Sequence, residues 1–280
     1  MNISVEGNID DDAPDIASLL RTLSPIHNES AARSWKFRCD ECRYLGPWAA
    51  SVLASAYLVG KQRDQRPRIH LPTEPAPLKA FCQFSGMEHL FAGGAKPDPT
   101  HPENETVPLE RFDDANWGRS GRVVNLLKRH VADLDTEVED RIRLCIQETT
   151  QNILDHAKSP IGGVMAARFI ESRGEVRVGI VDRGIGIHAS LATRYPELGG
   201  VQDSLARVID GGHSSRSRPS NMGQGISNLF SVVRFAGGRM AIFTEDAVAT
   251  THEGSPANVR STGFTFPGTA VFFALPTDPS

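Results

Sequence analysis

The 280-residue chain carries 34 acidic against 30 basic residues, a formal net charge of −4, with 39% hydrophobic and 23% charged side chains. These are globular proportions, with length for one large domain or two of ordinary size. They exclude a wholly disordered chain and leave no electrostatic footprint for nucleic acid; no run reaches the roughly 18 apolar residues of a membrane span, and the acidic start MNISVEGNIDDDAPD is unlike a signal peptide, so the chain reads as cytoplasmic.

Up to about residue 95 strand and helix signals alternate. WKFRCDEC, 35–42, has the partial two-residue period of a strand. GPWAASVLASAYLVGKQR, 46–63, reads as a helix with Gly46 and Pro47 near its start. RPRIHLP, 66–72, reads as a short buried strand, and APLKAFCQFSGMEHLF, 76–91, as a helix, a Ser-Gly break and a short apolar tail. This β-α-β-α order predicts a small α/β layer domain over 1–95. Cys39 and Cys42 have the spacing of half a zinc site or of a redox pair. No second CxxC and no nearby His-x-x-x-His completes a metal site, so the four cysteines, Cys82 and Cys145 included, read as reduced and mostly buried.

Residues 93–105, GGAKPDPTHPENE, are rich in Gly, Pro and acidic groups, and 96–117 is expected to be a linker, with a short strand at TVPLERF. From 118 onward helices come first: SGRVVNLLKRHVADL, then DTEVEDRIRLCIQETTQNILDHA with Asp135 or Thr136 as its cap. Strands GGVMAARFIES and EVRVGIVD follow, joined by a turn at Arg173-Gly174. After them come the helices VQDSLARVID and ISNLFSVVRFAGG and a final strand PGTAVFFALP. This grammar predicts a helix layer on a largely antiparallel sheet, an α+β domain over 118–280. The stretch 248–263, VATTHEGSPANVRSTG, reads as an insert of no evident purpose.

Four features carry chemistry. The helix places Glu148, Asn152 and His156 at strict four-residue spacing, a polar row beside the apolar stripe Val138, Ile142, Cys145, Thr149 and Ile153. Alone, that row is a solvated helix face. VDRGIGI, 181–187, ends a buried strand on Asp182 and follows it with Gly184 and Gly186, which suits either an ordinary turn or close approach of a flat ligand. GGHSSRSRPSNMGQGISNL, 211–229, runs through Gly223-Gln224-Gly225 into a helix; it reads as a surface loop or as a lid whose helix N-terminus and Arg216 and Arg218 suit phosphate. Gly268-Thr269 opens the last strand.

In this order, E-x-x-x-N on a helix, D-x-G-x-G at a strand end, G-x-G before a helix and G-T before a strand resemble the Bergerat ATP-binding fold, the GHKL superfamily of gyrase and the sensor histidine kinases. The E-x-x-x-N-x-x-x-H helix and short length look most like its anti-sigma-factor serine kinases. The resemblance implies a two-layer α/β sandwich, with ATP and Mg²⁺ as cofactors. It implies that Asn152 holds Mg²⁺ and Glu148 orients or deprotonates the nucleophile. Asp182 would accept the adenine amino group, Thr269 would support it, and Gly184, Gly186 and Ile187 would shape the base pocket, with Arg183 at the ligand edge. Gly223, Gln224 and Gly225, with Ser215 and Arg216 of HSSR, would form the phosphate lid. His156 would contact phosphate or hold a structural hydrogen bond. His130, followed by Val131 rather than an acidic residue, does not match the phosphoacceptor of the histidine kinases.

The stretch WKFRCDECRYLGPWAASVLASAYLVGKQRDQRPRIHLP more faintly resembles a STAS domain, the fold of anti-sigma-factor antagonists. Ser51 lies about a turn later than the phosphoacceptor serine of that family, so a docking or dimerisation role is expected of this domain, with Trp48 as a core residue or an interface anchor. The implied function is a regulatory protein that phosphorylates a partner serine, or hydrolyses ATP to switch partner binding. The alternative is a non-catalytic, nucleotide-dependent switch. The implied partner is a regulatory protein, STAS-type proteins and a second copy of the chain among the options, with neither nucleic acid nor membrane.

Overall fold

The structure, a computed structural model, describes residues 2–4, 7–9, 12–27, 34–98, 105–131, 134–211, 225–251 and 255–278. The fold is mixed α and β around a five-stranded antiparallel sheet, compatible with the α+β expectation.

The first 95 residues contain short strands β1 (Asn2–Ser4) and β2 (Gly7–Ile9), helix α1 (Ala13–His27), β3 (Ser34–Arg38), β4 (Cys42–Leu45), α2 (Pro47–Gln62), β5 (Arg66–His70), α3 (Ala76–Phe84) and α4 (Met87–Ala92). β1, β3 and β5 form one small parallel sheet; β2 and β4 pair separately. β5, expected as a buried strand, instead alternates buried and exposed residues, as a half-covered strand must. Pro47 opens α2, where its missing N–H costs nothing. The Cys39–Cys42 stretch is a turn between β3 and β4, both thiols are buried, and none of the four cysteines is joined in a disulfide.

The large sheet follows. β6 (Thr106–Phe112), α5 (Gly118–His130), α6 (Thr136–Asn152), β7 (Gly163–Ile170), β8 (Glu175–Asp182), α7 (Ile187–Ala192), α8 (Val201–Ile209), α9 (Gly225–Phe235), β9 (Arg239–Thr251) and β10 (Asn258–Pro276) succeed one another along the chain. Strand order is β6-β7-β8-β10-β9. Stretch 96–117, expected as a linker, therefore contributes an edge strand of this sheet. The described residues of the 248–263 insert belong to the paired ends of β9 and β10, from Asn258 opposite Thr250 to Ser261 opposite Ala247. Asp135 caps α6, its Oδ1 accepting the N–H groups of Glu137 at 2.6 Å and Val138 at 3.4 Å.

Alternate residues of the central strands point to opposite faces, and both faces are apolar. Val176, Val178, Ile180, Val271 and Phe273 pack under α5, α6 and α9. Val181, Ala241, Phe243, Ala270 and Phe272 share a core with Trp48, Val52 and Leu53 of α2 and with Leu20 and Leu23 of α1. The expected two-layer sandwich is thus extended: α2 covers the back of the sheet, because a second apolar face cannot be left in water. Trp48 stacks on Phe272 with ring centroids 5.2 Å apart. Ser51 is fully buried there, its hydroxyl donating to the carbonyls of Pro47 at 2.8 Å and Gly179 at 3.4 Å. No helix among the described residues is long and apolar enough to cross a membrane.

Candidate functional site

The stripe Val138, Ile142, Cys145, Thr149 and Ile153 is buried, which aims the polar row beside it along the edge of the sheet. After Asn152 the helix widens into a π-helical turn, Ile153–Ala157, ending on Lys158 in the left-handed region. Such turns recur at functional sites because they re-aim side chains without ending the helix.

β8 delivers Asp182 beside this turn. Gly184 passes so close that a Cβ there would lie 1.9 Å from the Ala157 carbonyl oxygen, a position open only to glycine. The close approach lets Ile185 N–H donate to that oxygen at 2.8 Å. Gly184 N–H in turn donates to Asp182 Oδ1 at 2.7 Å. Gly186, at φ +85°, turns the chain into α7. The loop is braced from β9: Thr244 Oγ1 accepts from Ile187 N–H at 3.0 Å and donates to the Gly268 carbonyl at 3.1 Å, while Glu245 Oε2 accepts from His188 N–H at 2.9 Å.

Between the π-helical turn, this loop, α7, α8 and β10 lies a cavity with about 750 Å³ of empty space, the open solvent at its mouth included. Ile153, Ala157, Ile187, Leu191, Val208, Ile226 and Val271 make its walls; Asn152, His156, Ser190, Thr149 and Thr269 add polar groups, and Asp182 lies at its floor. Asp182 is buried, and loss of solvation pushes its carboxyl up to about 7; the backbone N–H groups of Gly184 and Thr269 and the nearby Arg183 oppose the rise. Burial also lowers His156, favouring neutral imidazole, and raises Glu148.

Of the residues expected from sequence, Asn152, His156, Asp182, Gly186, Ile187 and Thr269 line this one cavity. Gly184 shapes it from behind. Two differ. Arg183 does not face the ligand edge: its side chain crosses to the back of the sheet and meets α2, since residues 182 and 183 of an extended strand end point opposite ways. Glu148 stands a turn before Asn152, off the cavity wall, its Oε2 buried without a hydrogen-bond partner. It packs against Gly225, where a Cβ would approach Glu148 Oε2 to 2.7 Å. Ser215, Arg216, Arg218, Gly223 and Gln224 lie outside the described residues. His130, set aside as a phosphoacceptor, stacks on Phe169 with centroids 3.8 Å apart and pairs with Glu105.

Thr244 and Glu245 had no sequence signal: they meet the loop only because β9 pairs with β10 so that Thr244 opposes Thr269. No group of three or more His, Cys, Asp or Glu among the described residues is arranged to hold a metal ion. No family model matches the chain, and no curated protein is significantly similar to it.

Proposed function

We propose that the cavity binds the base of an adenine nucleotide and that the chain is a Mg-ATP-dependent regulatory protein of the GHKL type. The observation that carries this reading is a carboxylate buried in a cavity whose walls are largely apolar. A flat heteroaromatic ring satisfies such walls, and an exocyclic amino group donates to such a carboxylate, compensating part of its desolvation. Thr269 and Gly184 already hold Asp182 through their backbone N–H groups, so the acceptor is oriented before the ligand arrives.

The donor set also suits magnesium nucleotide. Asn152 offers one side-chain oxygen on the cavity wall, and Mg²⁺ needs few protein ligands when phosphates and water supply the rest. Bound Mg-ATP would supply a transferable γ-phosphoryl group. Asn152 and His156 would face its phosphate end, with the start of α9 beside them. In the catalytic version Glu148 orients or deprotonates the attacking hydroxyl of a partner serine or of water.

The second reading is a passive switch, in which the nucleotide orders the α9 end and changes a partner surface. The position of Glu148, half-buried beside Gly225 and off the cavity wall, favours it. ATP labelled at the γ-phosphate decides between the two, with Mg²⁺ and with wild type beside Glu148→Ala. Label released, or moved to one protein of a lysate, by wild type alone supports catalysis and tells hydrolysis from kinase activity. Label bound equally by both forms, with no transfer, supports the switch; no binding by wild type removes both.

A further inference from the structure

Arg183 follows Asp182 directly, yet its side chain leaves the cavity. Nε donates to Ser55 Oγ at 2.8 Å across 128 residues of sequence, and Nη2 to the Val52 carbonyl at 3.5 Å. The guanidinium lies 4.5 Å from the centre of the Phe266 ring, and the residue is 5% exposed. Its main-chain N–H donates to Ser159 Oγ at 3.2 Å, just past the π-helical turn. Around it the interface between α2 and the sheet is mostly apolar.

A guanidinium in such a place costs more to desolvate than an apolar side chain of its size, so stability alone does not account for it. What the arrangement does supply is a fixed position. The planar fork has a defined direction, its partners sit on a rigid helix, and the Arg183 Cα is one trans peptide, about 3.8 Å, from that of Asp182. The cavity's acceptor is thereby tied to the N-terminal α/β unit, and a small rotation at residue 182 would redirect a carboxylate whose hydrogen bond depends on direction.

We propose that Arg183 is a positioning residue: held on α2 by Ser55 and Val52, it sets the direction in which Asp182 presents its carboxylate, and so makes the N-terminal unit a determinant of which base the cavity accepts. The proposal rests on the adenine-nucleotide reading.

The test uses the full chain with Mg²⁺ and two ligands, ATP and purine riboside triphosphate, which differ only in the amino group that Asp182 would accept. Wild type is expected to prefer ATP about tenfold or more. Ser55→Ala and Arg183→Lys are expected to bring the two dissociation constants within about twofold of each other. Ser51→Ala, on the same helix but bonded to Gly179, is expected to keep the wild-type ratio. Ser55→Ala removes a single hydroxyl, so the ratio is readable even if Arg183→Lys does not accumulate.

A wild type that binds neither ligand, or both equally, overturns the adenine reading itself. A wild type that discriminates, beside variants that keep its ratio or lose both ligands in equal measure, overturns the positioning role and leaves the adenine reading standing. Loss of discrimination in Ser51→Ala as well also overturns the role of Arg183, since the effect would then belong to the whole interface.

Discussion

Gly184→Ala probes the closest approach in the site. The added Cβ would meet the Ala157 carbonyl oxygen at 1.9 Å and its carbon at 2.6 Å. Both are backbone atoms of the π-helical turn, and no flexible side chain can yield in their place. The loop must lift, which breaks the Ile185–Ala157 bond and draws the Gly184 N–H from the buried Asp182 carboxylate. Overpacking of this kind costs about 1–3 kcal/mol and a lost hydrogen bond to a charged group about 1.5–3. The sum is about 2.5–6 kcal/mol, a fall in Tm of roughly 5–20 °C for a chain of this size. Thermal unfolding followed by circular dichroism reads it directly. Gly121→Ala is the comparison: that glycine lies within α5, with no atom nearer to an added Cβ than Arg143 Nη1 at 3.7 Å, so it should gain up to about 1 kcal/mol. A Gly184→Ala protein melting within about 1 °C of wild type would refute the close packing of loop on turn.

Burial lifts Asp182 to about 7 from an ordinary 3.8, so between those values the folded chain holds a proton that the unfolded chain has released. Stability should therefore decline as pH rises through that window, the penalty reaching about 4 kcal/mol above it. Asp182→Asn should flatten that part of a urea-midpoint profile, and an unchanged slope would locate the titration elsewhere. Thr244→Val keeps the shape of a fully buried side chain but strips partners from Ile187 N–H and the Gly268 carbonyl; it should cost about 2–3 kcal/mol in urea unfolding, and a loss below about 0.5 would show that the brace is dispensable. Trp48→Ala should cost about 3–5 kcal/mol. Because Trp48 lies in a core common to α2 and the large sheet, wild type should unfold in one transition by near- and far-ultraviolet circular dichroism, two separate transitions arguing for independent units.

The strands and helices with strong local signals were legible from sequence: α2 with its proline start, β5 as a strand though not its exposed face, α6 with its Asp135 cap, and the β7–β8 hairpin closed at Gly174. So were the residues that line the cavity from α6, the end of β8 and Thr269. Contacts decided by pairing far along the chain were not legible. Thr244 and Glu245 enter the site through β9–β10 register. Arg183 was drawn to the ligand by its neighbour in sequence, although side-chain alternation sends it to the other face. The separation at 96–117 followed composition, but β6 is held in the sheet by pairing with β7, which composition does not encode.

The π-helical turn at Ile153–Ala157 makes the length of α6 a functional variable. It holds one residue more than an α-helical turn would, and that surplus lets the Ala157 carbonyl reach Ile185 while Asn152 and His156 both keep to the cavity. Deleting a single residue within it would restore an unbroken α-helix, a gain in local regularity. Side chains beyond the cut would keep roughly their direction, because the wide turn already absorbs the extra residue; a deletion between Asn152 and His156 would instead draw the two one position closer along the helix. Over this stretch, then, a substitution changes one contact, whereas a change of length by one residue re-spaces Asn152 and His156 against each other along the cavity wall.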